Sequence, residues 1–286
     1  MNLHEFDISR VLPATLVRSE RITPKDSEAE VRHLVLKVPD GLHYLEGQSI
    51  AVLPPGPPEF GNPYHFRLYS IASARDGEDE IPGTISICVR RCFYIDEVSG
   101  ERYPGKASNF LCDARPGDEI PIAGPYGTPF RIPSDENCNL LMVGVGTGIA
   151  PFRALCKHLY SGHLSWRGKV RLFYGAKTGM EMLYLNDVNK DLSLYYDQET
   201  FEAFEALSPR PAFDAPPALD RLLMENSHEI WEMVQDPKTY VYLAGLLDAA
   251  HNFEKAMSSA AGSDEAWQDM HVQLMAEGRL SELLYE

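Results

Sequence analysis

The stretch LLMVGVGTGIAPFR, Leu140 to Arg153, decides the fold of this chain. Leu140 to Val145 is an uninterrupted apolar run of strand length, and it passes directly into Gly146-Thr147-Gly148. Ala150 to Leu159 then reads as a helix, with Pro151 in its first turn, where a missing N–H costs nothing. A buried strand, a glycine turn and a helix in that order bring bare backbone close to a phosphate and set the helix dipole behind it. The spacing is not G-x-G-x-x-G, because the third glycine comes one residue early.

The same grammar repeats downstream. Val170 to Tyr174 is a second strand run ending in Gly175, and Thr239 to Leu243 a third, ending in Gly245 before a helix over about 248–259. Strands alternating with helices predict a parallel α/β sheet. The connection over 176–219 is less regular; it carries Pro209, Pro211, Pro216 and Pro217, and a helix is expected over 197–206. Upstream the pattern differs. Segments 30–38, 48–53, 84–90 and 119–123 are short, rich in Val, Ile and Leu, and separated by Gly, Pro and Asp clusters. That spacing predicts an antiparallel β-barrel or sandwich, interrupted by a helix that starts near Ser108-Asn109, a good cap pair, and runs to Cys112 or beyond. The expected division is residues 1–136 and 137–286.

Composition narrows the function classes. The formal charge is 26 − 42 = −16, spread along the chain. Nucleic acid is therefore not an expected partner, since phosphate neutralisation needs a basic face. No apolar run reaches the roughly 20 residues of a membrane span, so a cytoplasmic protein is expected. The five cysteines, Cys88, Cys92, Cys112, Cys138 and Cys156, form no C-x-x-C pair. No zinc or iron–sulfur ligand set is expected from them, and free thiols fit a reducing compartment.

Three further segments carry chemistry. Arg67-Leu68-Tyr69-Ser70, within RLYSIAS, puts a guanidinium, an aromatic ring and a hydroxyl on one short strand. A guanidinium suits a pyrophosphate, a ring suits a stacked heteroaromatic, and a hydroxyl suits a ring nitrogen. Cys88-Val89-Arg90-Arg91 is followed by Tyr94, and Gly105-Lys106-Ala107-Ser108-Asn109 opens the expected helix, whose N–H groups and dipole favour an anion. Taken alone, each has a plain structural reading: a strand, a ribbon, a helix cap.

Together these segments resemble the plant-type ferredoxin–NADP⁺ reductase family. RLYSIAS, SNFLCD with Pro116-Gly117-Asp118, and GTGIAPFR stand in family order and spacing, and the likeness runs from Gly47 to Tyr285. The resemblance implies a FAD-binding barrel followed by a Rossmann-like nucleotide domain, and electron transfer between NADP(H) and a ferredoxin or flavodoxin. It implies that Arg67 contacts the FAD pyrophosphate, Tyr69 stacks on the flavin and Ser70 sits near flavin N5. Tyr94 would stack on the FAD adenine, with Cys88, Arg90, Lys106, Ala107 and Ser108 nearby. Gly146, Thr147 and Gly148 would line the nicotinamide-nucleotide pyrophosphate site, joined by Ala244 and Gly245, and Tyr285 would cover the flavin face.

The chain departs from the family at several of these places. Ala244 stands where the family carries a cysteine, and Leu283 where it carries a glutamate. The Ser-Arg pair that reads the 2′-phosphate becomes Ser208-Pro209-Arg210, and Asp220 follows where a neutral residue is usual. These departures keep NAD(H) open beside NADP(H). They also motivate two alternatives: the reductase component of an oxygenase with a dedicated iron–sulfur protein, and a flavin-binding regulatory subunit with little turnover.

Overall fold

The structure, a computed structural model, describes residues 6–56, 64–96, 98–161, 164–207 and 218–285. The chain divides into two compact units, Met1–Pro129 and Phe130–Glu286. This border falls ahead of the 136/137 division expected from sequence. The Phe130 ring packs on Tyr242 at 4.9 Å and stacks on Phe152 at 6.1 Å. The Tyr242 hydroxyl donates to the Arg131 carbonyl, and Asp135 pairs with Lys238. Isolated contacts of this kind leave no apolar run in the sequence to mark them.

The first unit contains β1 (Leu12–Arg21), β2 (Val31–Lys37), β3 (Ser49–Val52), β4 (Arg67–Ser70), β5 (Thr84–Arg90), β6 (Phe93–Ile95), β7 (Arg102–Pro104), helix α1 (Lys106–Asp113) and β8 (Glu119–Tyr126). Six of these strands form one antiparallel sheet in the order β4-β3-β8-β1-β2-β5. The two edges approach each other through the Ile71↔Ile87 bridge and the bond from Ala72 N to Ser86 O (2.7 Å), so the sheet curls into a barrel. Leu16, Leu34, Leu36, Ile50, Val52, Ile85, Ile87, Ile120 and Ile122 fill its interior, following the period of two that a pleat imposes. β5 is buried on its other face as well. Its outward Ser86 accepts no solvent; the hydroxyl donates to buried Glu78, which His33 also contacts at 3.2 Å. Leu111 and Cys112 of α1 plug the barrel core, and β6 and β7 form a separate two-stranded ribbon.

The second unit contains β9 (Asn139–Val145), α2 (Ile149–Tyr160), β10 (Val170–Ala176), β11 (Phe201–Leu207), α3 (Ala218–Glu225), α4 (Ser227–Gln235), β12 (Thr239–Leu246), α5 (Leu247–Ala261), α6 (Asp264–Ala276) and β13 (Leu280–Tyr285). All five strands are parallel, in the order β11-β10-β9-β12-β13. Leu141, Val143, Val241 and Leu243 pack with α3, α4, α5 and α6. Tyr242 points to the opposite face, where Phe130 bridges it to Phe152 of α2. The chain leaves β9 toward β10 and returns on the other side at β12. Such a reversal opens a crevice at the carboxyl ends of the two strands, the usual ligand position in sheets of this kind.

One expectation is overturned here. Residues 197–206 contain no helix; Phe201–Leu207 is the edge strand β11, paired with β10 from Val170↔Phe201 to Ala176↔Leu207. Its glutamates suit a helix, but its rings decide otherwise. Phe204 stacks on Phe173 at 4.5 Å, Glu202 pairs with Arg171, and Glu205 accepts from the Tyr196 hydroxyl. These partners come from elsewhere in the chain, so local propensity loses. Among the described residues no helix is long and apolar enough to cross a membrane.

Candidate functional site

In the first unit the site centres on the start of α1. The helix expected near Ser108-Asn109 is present and begins at Lys106, but its cap is Gly105 rather than that pair, and no side chain caps it. The pair instead docks the helix. The Ser108 hydroxyl accepts from Cys92 N (3.1 Å) and donates to Gly105 O (3.2 Å). The Asn109 amide donates to Gly105 O and Cys92 O and accepts from Arg91. Arg91 also pairs with Glu30 (2.8 Å) and Asp113 (2.9 Å). The first i→i−4 bond of the helix runs from Asn109 N to Gly105 O. Lys106, Ala107 and Ser108 therefore present their backbone N–H groups ahead of the helical ladder, the arrangement that accepts an anion.

A cavity of about 410 Å³ opens at this helix start, walled by Pro54, Pro55, Pro104, Lys106, Asn109 and Phe110. His65 senses the same field. Burial and the charges of Arg67 and Lys106 together hold its imidazole below the ordinary histidine range. Arg67 and Lys106 thus place two cationic side chains around His65, in a chain of net charge −16. β4 brings the motif residues alongside, with Arg67 opposite Val52, Tyr69 opposite Ile50 and Ser70 opposite Ser49. Arg67 is exposed, whereas Tyr69 and Ser70 are half-buried. Tyr69 packs on the barrel core, and burial pushes its phenol well above the usual range, so the ring is a neutral platform.

The remaining predicted residues of this unit lie on β5 and the ribbon. Cys88 is buried opposite His33, and Arg90 is exposed at the end of β5. Tyr94 is 56% exposed, and its ring stacks on Tyr103 at 5.5 Å, 23° from parallel. One aromatic thus supports another at the surface. Sequence reading did not single out His65, Tyr103 or the proline wall. The available signals were the position of His65 two residues before Arg67 and the aromatic at each strand of a short ribbon.

In the second unit the site lies at the sheet crevice. Gly146–Gly148 forms a single 3₁₀ turn between β9 and α2. Gly146 has φ +53, and its carbonyl accepts from the buried Tyr174 hydroxyl at 2.8 Å. Gly148 packs against β12: a Cβ built there would lie 2.4 Å from Ala244 O and 2.6 Å from Gly245 Cα. Gly245, at φ +118, would likewise push a Cβ to 2.8 Å from Val145 O. Glycine is required at both positions, because two backbones meet where side chains would stand. Ala244 is fully buried opposite Gly144.

Tyr285 ends β13 opposite Leu246, and its hydroxyl lies 2.7 Å from Thr147 Oγ1. On β13, Leu280 and Leu284 pack into the core, so Leu283 shares the face of Tyr285 by the alternation of a strand. Ser208 and Arg210 lie outside the described residues. Asp220 does not stand alone: its carboxylate lies 3.5 Å from Lys255 Nζ.

An antiparallel barrel with an anion-accepting helix start, followed by a parallel sheet with a glycine turn at its switch point, defines the class of two-unit oxidoreductases that join a cofactor barrel to a nucleotide-binding sheet. The oxidoreductase NAD-binding domain family matches residues 142–254. The chain is 34% identical over 269 residues to a ferredoxin–NADP reductase of Spirulina sp, covering 91% of this chain and 90% of that protein. It is 34% identical over 258 residues to the chloroplastic leaf isozyme 1 of the same enzyme from Arabidopsis thaliana, covering 89% and 71%. In fold it is similar to ferredoxin–NADP⁺ reductase from Plasmodium falciparum (TM-score 0.75, 21% identity, 100% and 99% coverage), and to that protein with 2′P-AMP (TM-score 0.75, 20% identity, the same coverage). This chain belongs to the ferredoxin–NADP reductase family.

Proposed function

We propose that the chain carries reducing equivalents between NADP(H) and a one-electron carrier of the ferredoxin or flavodoxin type, through FAD. The start of α1, where the backbone N–H groups ahead of the Asn109 N to Gly105 O bond and the Lys106 side chain meet the 410 Å³ cavity, is the observation that carries this reading. The first unit fits FAD. Lys106, Ala107 and Ser108 offer N–H groups, Arg67 and Lys106 offer charge to its pyrophosphate, and Tyr94 offers a ring to its adenine. Tyr69 and Ser70 are read as the flavin contacts. When bound, FAD supplies the exchange between a two-electron hydride donor and a one-electron acceptor.

The second unit fits the nucleotide. The Gly146–Gly148 turn would cradle its pyrophosphate with backbone N–H groups and the start of α2, and a Cβ at Gly148 would have no room. Tyr285 is read as the aromatic that covers the flavin ring until nicotinamide arrives. Ala244, in place of the family cysteine, keeps the backbone approach but leaves no thiol there. NADP(H) is favoured over NAD(H), and the Lys255 contact supports it by offsetting the negative charge of Asp220. Free cysteines are consistent with a cytoplasmic setting.

Anaerobic titration of the FAD-loaded protein with NADPH and NADH tests the reading. The flavin absorbance is expected to bleach, at lower concentration with NADPH. Protein that stays yellow with both nucleotides overturns it in favour of a regulatory flavoprotein. The partner is tested by salt: with net charge −16, reduction of an acidic ferredoxin is expected to accelerate as salt screens the repulsion.

A further inference from the structure

The hydroxyl pair Thr147–Tyr285, 2.7 Å apart, joins two parts of the second unit that the sheet itself does not join. In the order β9-β12-β13, the two residues stand at the ends of strands separated by β12. Neighbouring strands lie about 4.8 Å apart, so the bond bridges roughly 10 Å of backbone over the end of β12. Both partners are anchored. Thr147 sits in a turn fixed by Gly148 against Ala244 and by Tyr174 on Gly146 O. Tyr285 is held by its register with Leu246, and its neighbour Leu284 by the core.

A bond between two neutral hydroxyls is exchangeable. One donates and the other accepts, and either can rotate to another partner. An anionic phosphate oxygen in the turn is a better acceptor than a phenol, because charge-assisted hydrogen bonds are roughly twice as strong as neutral ones. A pyrophosphate at Gly146–Gly148 would therefore draw the Thr147 O–H away from Tyr285. We infer that the Thr147–Tyr285 bond is a latch: it holds the Tyr285 ring in place until the nucleotide pyrophosphate takes the Thr147 hydroxyl, which frees the ring for displacement. The inference rests on the proposed roles of the turn and of Tyr285. It assigns Thr147 a positioning role beyond phosphate contact, and it couples the phosphate end of the nucleotide to the residue its nicotinamide end must displace.

The test uses FAD-loaded protein, NADP⁺ binding followed by flavin difference spectra, and hydrogen exchange over 280–285. Tyr285→Phe keeps the ring and removes the latch, and is expected to bind NADP⁺ about fivefold more tightly (about 1 kcal/mol at 1.4 kcal/mol per tenfold). Thr147→Val loses both latch and phosphate donor in the native background, but only the donor in the Tyr285→Phe background. Its cost in NADP⁺ affinity is expected to be about fivefold larger in the second. Segment 280–285 should exchange faster when NADP⁺ binds the native protein, and should already do so in either variant without nucleotide. Thr147→Ser should restore native behaviour. Additive substitutions with exchange indifferent to NADP⁺ would overturn the latch. Deleting Tyr285 and Glu286 separates the two ideas. If the truncation tightens NADP⁺ and Tyr285→Phe does not, Tyr285 covers the flavin without a latch; if neither changes affinity, the covering role falls as well.

Discussion

Replacing Gly148 by alanine asks whether the close approach of the glycine turn to β12 is a structural requirement. The added Cβ would meet Ala244 O at 2.4 Å, Ala244 C at 2.6 Å and Gly245 Cα at 2.6 Å, where ordinary contact begins near 3.4 Å. The strand would have to withdraw by about 1 Å, and all three obstructing atoms are backbone. β12 cannot withdraw freely, because it is bonded to β9 on one side and β13 on the other. Overpacking a close-packed site costs about 1–3 kcal/mol, and a clash with a strand held on both edges belongs at the upper end, about 3 kcal/mol. At about 2–4 °C per kcal/mol for a unit of this size, the expected fall in melting temperature is about 6–12 °C. The assay can be confined to the affected unit. All three tryptophans, Trp166, Trp231 and Trp267, lie in Phe130–Glu286, so tryptophan fluorescence in a thermal or urea titration reports that unit, while flavin absorbance reports the other. Gly148→Ala should lower the tryptophan transition and weaken NADP⁺ binding, and leave FAD retention intact below that transition. Gly179→Ala is the control, since its Cβ would meet nothing nearer than Leu207 Cδ1 at 4.0 Å. An unchanged tryptophan midpoint for Gly148→Ala would refute the packing argument.

Three other outcomes follow from the structure. FAD loading should raise the pKa of His65, because a pyrophosphate beside Arg67 and Lys106 offsets the charges that now help to depress it; an NMR titration of apo and loaded protein that shows no shift would remove the pyrophosphate from this place. The Asp135 carboxyl is held at about 2 by Asn137 and Lys238. A depressed acid contributes stability above its unfolded pKa and loses it as pH falls through the folded one, so the urea midpoint difference between native protein and Asp135→Asn should be full at neutral pH and vanish between about pH 4 and pH 2. Asp191→Ala removes a carboxylate that accepts from Arg153 at 2.6 and 2.9 Å, and Arg153 is 1% exposed; losing one charged acceptor of a buried guanidinium should cost about 1.5–3 kcal/mol by tryptophan-monitored unfolding.

Sequence by itself determined the elements whose information is local. The runs at 140–145, 170–174 and 239–243, apolar but for Arg171 and Thr239, became β9, β10 and β12, because strands of a parallel sheet covered on both faces read as near-continuous apolar runs. The glycine turn was legible because a close approach of two backbones excludes every other residue. The motif order identified the family, and the motif residues fall at the start of α1, on β4 and at the sheet crevice. What depends on distant partners was decided only by tertiary structure. The helix expected over 197–206 became β11 because β10 and Phe173 waited beside it. Ser108 and Asn109, expected as the helix cap, proved to be docking groups for Cys92 and Arg91 inside the first turns of α1. The border moved to Phe130 because one ring packs between Tyr242 and Phe152. The pair of cations around His65 in an acidic chain and the Thr147–Tyr285 bond join residues tens to more than a hundred positions apart. No window of sequence contains them, and only folding brings the charges and hydroxyls within reach of each other.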